Sequence, residues 1–161
     1  VEEYINMIRL KTAVLIGCAL KMGAIIGGAT PQQSDALYKF GENIGLAFQL
    51  QDDYLDVYGD AKTFGKKIGG DILNNKKTYM LISAMTLAEG ETKERLLALL
   101  EGPQDDNKIE QVTAIYTELG IDKMAREKIS EYSQKALTYL NGIPNNEELK
   151  AFANSLTERK L

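Results

Sequence analysis

Histidine is absent from this 161-residue chain, cysteine occurs once and proline three times. Without histidine there is no histidine-based catalytic triad and no histidine-ligated zinc. Acid–base work must therefore fall to carboxylates, lysines, tyrosines, water or a substrate itself. A single cysteine, Cys18, permits no disulfide framework. It stands among apolar neighbours and is expected in the core. With no signal peptide in the sequence, the cytoplasm is the expected compartment. Positive charge is neither abundant nor clustered: the net charge is −4 and the lysines and arginines are scattered, which argues against nucleic acid as a partner.

A long uninterrupted apolar run is missing as well. The most apolar stretch, Thr12 to Thr30, is split by Lys21 and interspersed with Gly17, Gly23, Gly27 and Gly28. A membrane span needs roughly 20 mainly apolar residues, so no span is expected. Gly23-Ala24-Ile25-Ile26-Gly27 fits the G-x-x-x-G spacing of membrane dimers. Small residues at that spacing also let helices approach closely in a water-soluble bundle, and this is the expectation here. The segment reads as a central helix, hydrophobic nearly all round and hence buried.

What remains is an ordinary globular composition, with hydrophobic residues at 44% and charged residues at 26%, in a chain long enough to bury a sizeable core. The prolines at 31, 103 and 144 fall at boundaries, and the segments between them carry helical period. The pattern predicts helices over about 2–28, 35–58, 75–89, 91–101, 107–119, 121–141 and 145–160. The second starts from an N-cap at Ser34 or Asp35, and 59–70 forms a loop. No strand pattern or repeat is evident. The fold class is all-α, an antiparallel helical bundle with short connections. The distal stripes, Ile109, Val112, Ile115, Tyr116, Leu119 and then Ala125, Ile129, Tyr132, Ala136, Leu137, Leu140, read as packing faces without chemistry.

The most informative run is Phe48-Gln49-Leu50-Gln51-Asp52-Asp53-Tyr54-Leu55-Asp56. On a helix Asp52 and Asp56 share one face, and Asp53 lies about 100° round the axis. Like charges at i,i+4 weaken a helix, and a helix C-terminus already carries the negative end of the dipole. Three carboxylates there need a cation. A solvated acidic end is the plain alternative. Mg²⁺ fits the pattern, because it is usually held by one or two carboxylates together with water and phosphate oxygens. Lysines flank the run, at Lys11, at Lys66-Lys67 after Gly65, and at Lys76-Lys77. Lysine serves as a point-charge partner for phosphate, and glycine lets backbone approach it closely.

Taken together, Lys11-Thr12-Ala13, Gly45 through Asp56, Gly65-Lys66, Gly70-Asp71 and Lys76-Lys77-Thr78-Tyr79 resemble, in order and approximate spacing, the C-terminal half of the trans-isoprenyl diphosphate synthases, the polyprenyl synthetase family. The resemblance implies the isoprenoid synthase type of helical bundle and a prenyltransferase that joins an allylic diphosphate to isopentenyl diphosphate with Mg²⁺. It implies that Asp52 is the direct metal ligand, with Asp53 and Asp56 acting through metal-bound water or by orienting the site. Lys11, Lys66 and Lys76 would contact the allylic diphosphate. Thr12 and Gln49 would offer hydroxyl and amide oxygens to the developing cation, so that Lys11, Thr12, Gln49 and Lys66 form the catalytic set. Asp71 would partner a lysine or metal-bound water. Phe48 lines the prenyl channel or packs in the core, and Thr12 has the alternative of bonding back to its own helix. A homodimer is also implied.

One departure from the family pattern stands out. Members carry two aspartate-rich motifs on facing helices, and only the second has a counterpart here. Asp105-Asp106 falls in Gly102-Pro103-Gln104-Asp105-Asp106-Asn107, which reads as a turn. With a start at Val1, residues 1–161 are expected to be the C-terminal portion of a single synthase domain, incomplete at its N-terminus and inactive alone. Two other classes stay open, a class I terpene cyclase and a non-catalytic helical subunit of a heteromeric synthase.

Overall fold

The computed structural model describes residues 1–59 and 68–157. Every regular element among them is helical: α1 (Glu2–Ile8), a π-helical turn (Arg9–Ala13), α2 (Val14–Ile26), α3 (Pro31–Tyr58), α4 (Gly70–Leu73), α5 (Tyr79–Leu87), α6 (Gly90–Glu101), α7 (Asp106–Glu118), α8 (Ile121–Thr138) and α9 (Glu147–Thr157). The described residues divide into two compact units, one built from 2–51 and 127–157, the other chiefly from 52–59 and 68–126. None of these helices is long and apolar enough to cross a membrane.

The long helix α3 begins earlier than expected, at Pro31 rather than at Ser34 or Asp35. Proline suits the first helical position, where its missing N–H is not needed. Thr30 and Gln33 close a reciprocal cap around it. The Gln33 N–H donates to Thr30 Oγ1 at 3.3 Å, and the Thr30 N–H donates to Gln33 Oε1 at 2.9 Å. The helix therefore has 28 residues, about 42 Å at the usual rise. The helix expected over 75–89 is found as α5, which starts four residues late at Tyr79, and a further short helix, α4, precedes it at Gly70–Leu73. Helix α5 is capped by Thr78, whose side chain accepts from the Leu81 N–H.

In the first unit the core gathers Phe40, Ile44 and Ala47 of α3 with Ala136, Leu140 and Ala153. Helices α2 and α3 meet backbone to backbone. A Cβ at Gly41 would stand 2.9 Å from the Gly17 Cα, and one at Gly45 would stand 2.8 Å from the Ala13 Cα. The close approach expected of the Gly23/Gly27 pair is thus made by Gly17, Gly41 and Gly45. A Cβ at Gly23 would meet nothing within 4 Å.

This geometry overturns two expectations. Helix α2 engages its unit through the narrow side that carries Gly17, so the rest of its apolar circumference lies at the surface: Leu15 is 72% exposed and Ile26 87%. Cys18 is exposed, not buried in the core. All-round apolarity predicts burial only when neighbours surround the helix, and an uncovered apolar face of this kind is a surface suited to interaction. At Gly23 the open space gives a clear expectation. Gly23→Ala should stabilise the chain by about 0.5–1 kcal/mol through helix propensity alone, and a rise in thermal midpoint checks it.

In the second unit α7 packs against α4, α5 and α6. Val112, Ile115 and Tyr116 are buried there, as the distal stripes predict, together with Leu96 and Ile121. Asp105 caps α7 by accepting from the Lys108 N–H at 3.0 Å.

Candidate functional site

The acidic tip of α3 belongs to the second unit. Asp53 is 2% exposed, while Asp52 and Asp56 are half-buried. Lys76 reaches back from the segment after α4 and donates to Asp53 Oδ1 at 3.1 Å and Asp71 Oδ2 at 2.8 Å. Asp56 is spent differently: its Oδ2 accepts from the Asp71 N–H at 2.8 Å, and its carbonyl accepts from the Gly69 N–H at 2.6 Å. Gly69 sits at φ +85°, where a Cβ would come within 2.5 Å of the Ile109 side chain. Only glycine allows the chain to turn there and hand Asp71 to Asp56.

Burial and neighbouring like charge raise the carboxylates of this cluster. Burial pushes the Asp53 carboxyl up to about 6, with Lys76 pulling against it and Asp71 and Asp56 adding to the push. Asp56 is likewise raised by burial, opposed by its bond from the Asp71 N–H. For Lys76, burial works to lower the ammonium's pKa, but the bonds to Asp71 and Asp53 outweigh it and the net shift is upward. Lys76 thus bonds both Asp53 and Asp71, with Asp52 and Asp56 close by in sequence.

The donor set is carboxylate oxygen only, which fits a hard divalent cation such as Mg²⁺. Among the described residues no three carboxylates converge closely enough to hold an ion by themselves. That suits an ion whose other positions are filled by water and phosphate oxygens.

A second group lies in the first unit. Thr12 sits in the π-helical turn and donates through Oγ1 to Gln49 Oε1 of α3 at 3.3 Å, so it bonds across to a neighbouring helix and not back to its own. The turn is held at its start by Arg9, whose Nη1 donates to Glu42 Oε1 at 3.1 Å, and Lys39 donates to the other oxygen at 3.0 Å. Lys11 is exposed and Phe48 half-buried. π-Turns inside helices are rare and concentrate at functional sites, and this one carries both Lys11 and Thr12.

Of the residues singled out from the sequence, the structure joins Asp53, Asp56, Asp71 and Lys76 in one network and Thr12 with Gln49 in another. No hydrogen bond or ion pair engages the Asp52 carboxylate among the described residues. Lys66, with Gly65 and Lys67, lies outside the described residues. Sequence reasoning missed Asn75 and Lys108. Among the described residues Asn75 is one of two non-glycine residues at positive φ, at 49°, and the Asn74-Asn75 pair before Lys76 is the signal that could have marked it.

An all-helical chain with hard oxygen donors and a lysine at one helix tip defines a class of protein suited to a metal-bound phosphate. The chain belongs to the Polyprenyl synthetase family, whose model matches residues 1–119. The short chain isoprenyl diphosphate synthase of Methanothermobacter thermautotrophicus is 38% identical over 152 residues, which cover 94% of this chain and 46% of that protein. A crystal structure of a geranylgeranyl pyrophosphate synthase superposes with a TM-score of 0.89 at 40% identity, covering 100% of this chain and 52% of that one. The geranylgeranyl pyrophosphate synthase of Corynebacterium glutamicum, solved with isoprenyl diphosphate and magnesium, gives a TM-score of 0.89 at 33% identity over 99% of this chain and 47% of its own. The all-α fold is that of these synthases. The chain spans about half the length of the proteins it matches.

Proposed function

We propose that the natural polypeptide carrying this chain is a Mg²⁺-dependent prenyltransferase that condenses isopentenyl diphosphate with an allylic diphosphate. In the reaction the allylic C–O bond breaks and the diphosphate leaves with the electron pair. The double bond of isopentenyl diphosphate then forms the new C–C bond, and a proton is lost. Charge separation is the difficult step, and stabilising the departing diphosphate is where the protein contributes most. Mg²⁺, when bound, would supply Lewis-acid neutralisation of that leaving group.

The chain's own residues take the following parts. Asp52 offers the metal a carboxylate that no other described residue occupies. Asp53 and Asp56 orient the site, Asp53 through Lys76 and Asp56 through the Asp71 backbone. Lys76, with Lys11 and Lys66, meets the phosphates. The oxygens of Thr12 and Gln49 face developing positive charge, their mutual bond fixing both. Phe48 lies against the prenyl chain, and two copies of the polypeptide associate. The observation that carries the reading is Lys76 shared between Asp53 and Asp71 beside Asp56, in a chain of this family.

The test is product analysis with labelled isopentenyl diphosphate, an allylic diphosphate and Mg²⁺. Elongated prenyl diphosphate that appears only with both substrates and disappears with a chelator is the expected result. Hydrocarbon formed from the allylic diphosphate alone would point instead to a cyclase.

A further inference from the structure

We infer that Asn75 and Lys108 are positioning residues that aim Lys76 from a fixed point, the Leu100 carbonyl at the end of α6. Three observations converge there. Asn75 donates through Nδ2 to the Leu100 carbonyl at 2.8 Å, and the Lys108 ammonium, on a side chain only 2% exposed, reaches the same oxygen at 3.4 Å. That carbonyl belongs to the last turn of α6, where the helix leaves its carbonyls without intrahelical donors and the dipole favours a cation. Asn75 holds a left-handed backbone at φ 49° immediately before Lys76, which is bonded to Asp53 and Asp71.

The backbone leaves little slack between these points. The Asn75 N–H donates to the Ile72 carbonyl at 3.1 Å and the Lys76 N–H to the Asp71 carbonyl at 2.9 Å. Lys76 leaves this turn in one direction, and that direction is set at Asn75. The side-chain amide then fastens the turn to α6, the element furthest in sequence from the acidic motif among those packed on α7. Lys108 braces the same carbonyl from α7. A segment without any catalytic pattern of its own thereby fixes the angle at which the phosphate-facing lysine is presented. At 2.8 Å against 3.4 Å, Asn75 is the stronger of the two.

This inference rests on the proposed phosphate role of Lys76, and its test separates the two ideas. Asn75→Gly keeps a residue that takes positive φ without strain and removes only the amide. Lys108→Met keeps the apolar stem and removes the ammonium. Each is made in the natural polypeptide, with the double variant. Two readouts follow: calorimetric affinity for inorganic diphosphate in the presence of Mg²⁺, and the acylation rate of Lys76 by acetic anhydride, mapped by mass spectrometry. Loss of one hydrogen bond that orients a charged partner should weaken diphosphate binding about tenfold for Asn75→Gly and about threefold for Lys108→Met. Lys76 should acylate faster in both. The double variant should fall short of the product of the two effects, because both act through one oxygen. Affinities within about twofold of the parent with unchanged Lys76 acylation, even beside lowered melting, would overturn the inference and leave the two residues purely structural. If the parent binds no diphosphate, the proposed function fails, and Lys76 acylation alone decides whether Asn75 and Lys108 set its position.

Discussion

In the natural polypeptide, and on the proposed prenyl transfer, Asp52→Ala should raise thermal stability slightly while lowering turnover by about 10²- to 10³-fold, the size of effect seen when one stabilising group is removed from a developing charge. The opposite signs follow from where Asp52 stands. It is half-buried on the last turns of α3 and no described residue bonds to its carboxylate, so the substitution breaks nothing in the fold. Removing it relieves like-charge repulsion with Asp56 at i,i+4, relieves an anion at the wrong end of the helix dipole, and installs a better helix former. Together these are worth about 0.5–1 kcal/mol, or roughly 2 °C in a chain of this length. Asp53→Ala should behave differently, because Asp53 is buried and paired. Its loss strips Lys76 of one of its two carboxylates, so stability and turnover should fall together. Single-turnover kinetics beside thermal melts distinguish the cases. If Asp52→Ala lost stability in proportion to rate, the carboxylate would be a structural part of the helix end and its role toward a metal would be withdrawn.

That contrast also marks the reach of the sequence. The acidic tip was legible because carboxylates at i,i+4 on a helix C-terminus carry an unfavourable energy that demands an explanation. Lys76 and Asp71 followed from the resemblance, and the structure puts them in one network with Asp53. Other features were invisible for stateable reasons. The π-turn over Arg9–Ala13 leaves no trace in periodicity: one extra residue turns the pattern by about 100°, but the stretch that follows is apolar nearly all round and has no phase to shift. The exposure of Cys18 and of Leu15 and Ile26 depends on which neighbours surround α2, and apolarity alone cannot supply that. The start of α3 was written in Thr30-Pro31-Gln32-Gln33, but proline read as punctuation concealed a capping box. Asn75 and Lys108 matter through one backbone carbonyl, and backbone partners have no signature in side-chain identity.

The close contact of α2 with α3 leads to the largest expected loss of stability. Gly45 lies inside α3, where alanine would ordinarily be favoured by about 1 kcal/mol. Here the sign reverses, because the obstacle is the Ala13 Cα at 2.8 Å and its Cβ at 3.0 Å, main chain and the first side-chain atom, not the end of a flexible side chain. Gly45→Ala should therefore cost about 1–2 kcal/mol net, overpacking exceeding the propensity gain. Gly45→Leu, with no volume to enter, should cost about 3 kcal/mol and lower the midpoint by roughly 6–12 °C. Gly23→Ala on the open side of α2 moves the other way, which rules out a general intolerance of helix glycines. The damage should not stop at stability. Ala13 ends the π-turn that holds Lys11 and Thr12, so the two helices can part at Gly45 only by disturbing that turn or by breaking the Thr12–Gln49 bond one helical turn further along α3. Gly45→Ala, which retains a folded protein, is the informative variant: its turnover should fall further than its midpoint predicts, and Gly41→Ala, packed on Gly17 away from the turn, should show the stability loss with a smaller loss of rate. Equal rate losses at the two glycines would mean that the π-turn is set by its own sequence and owes nothing to the approach of α3.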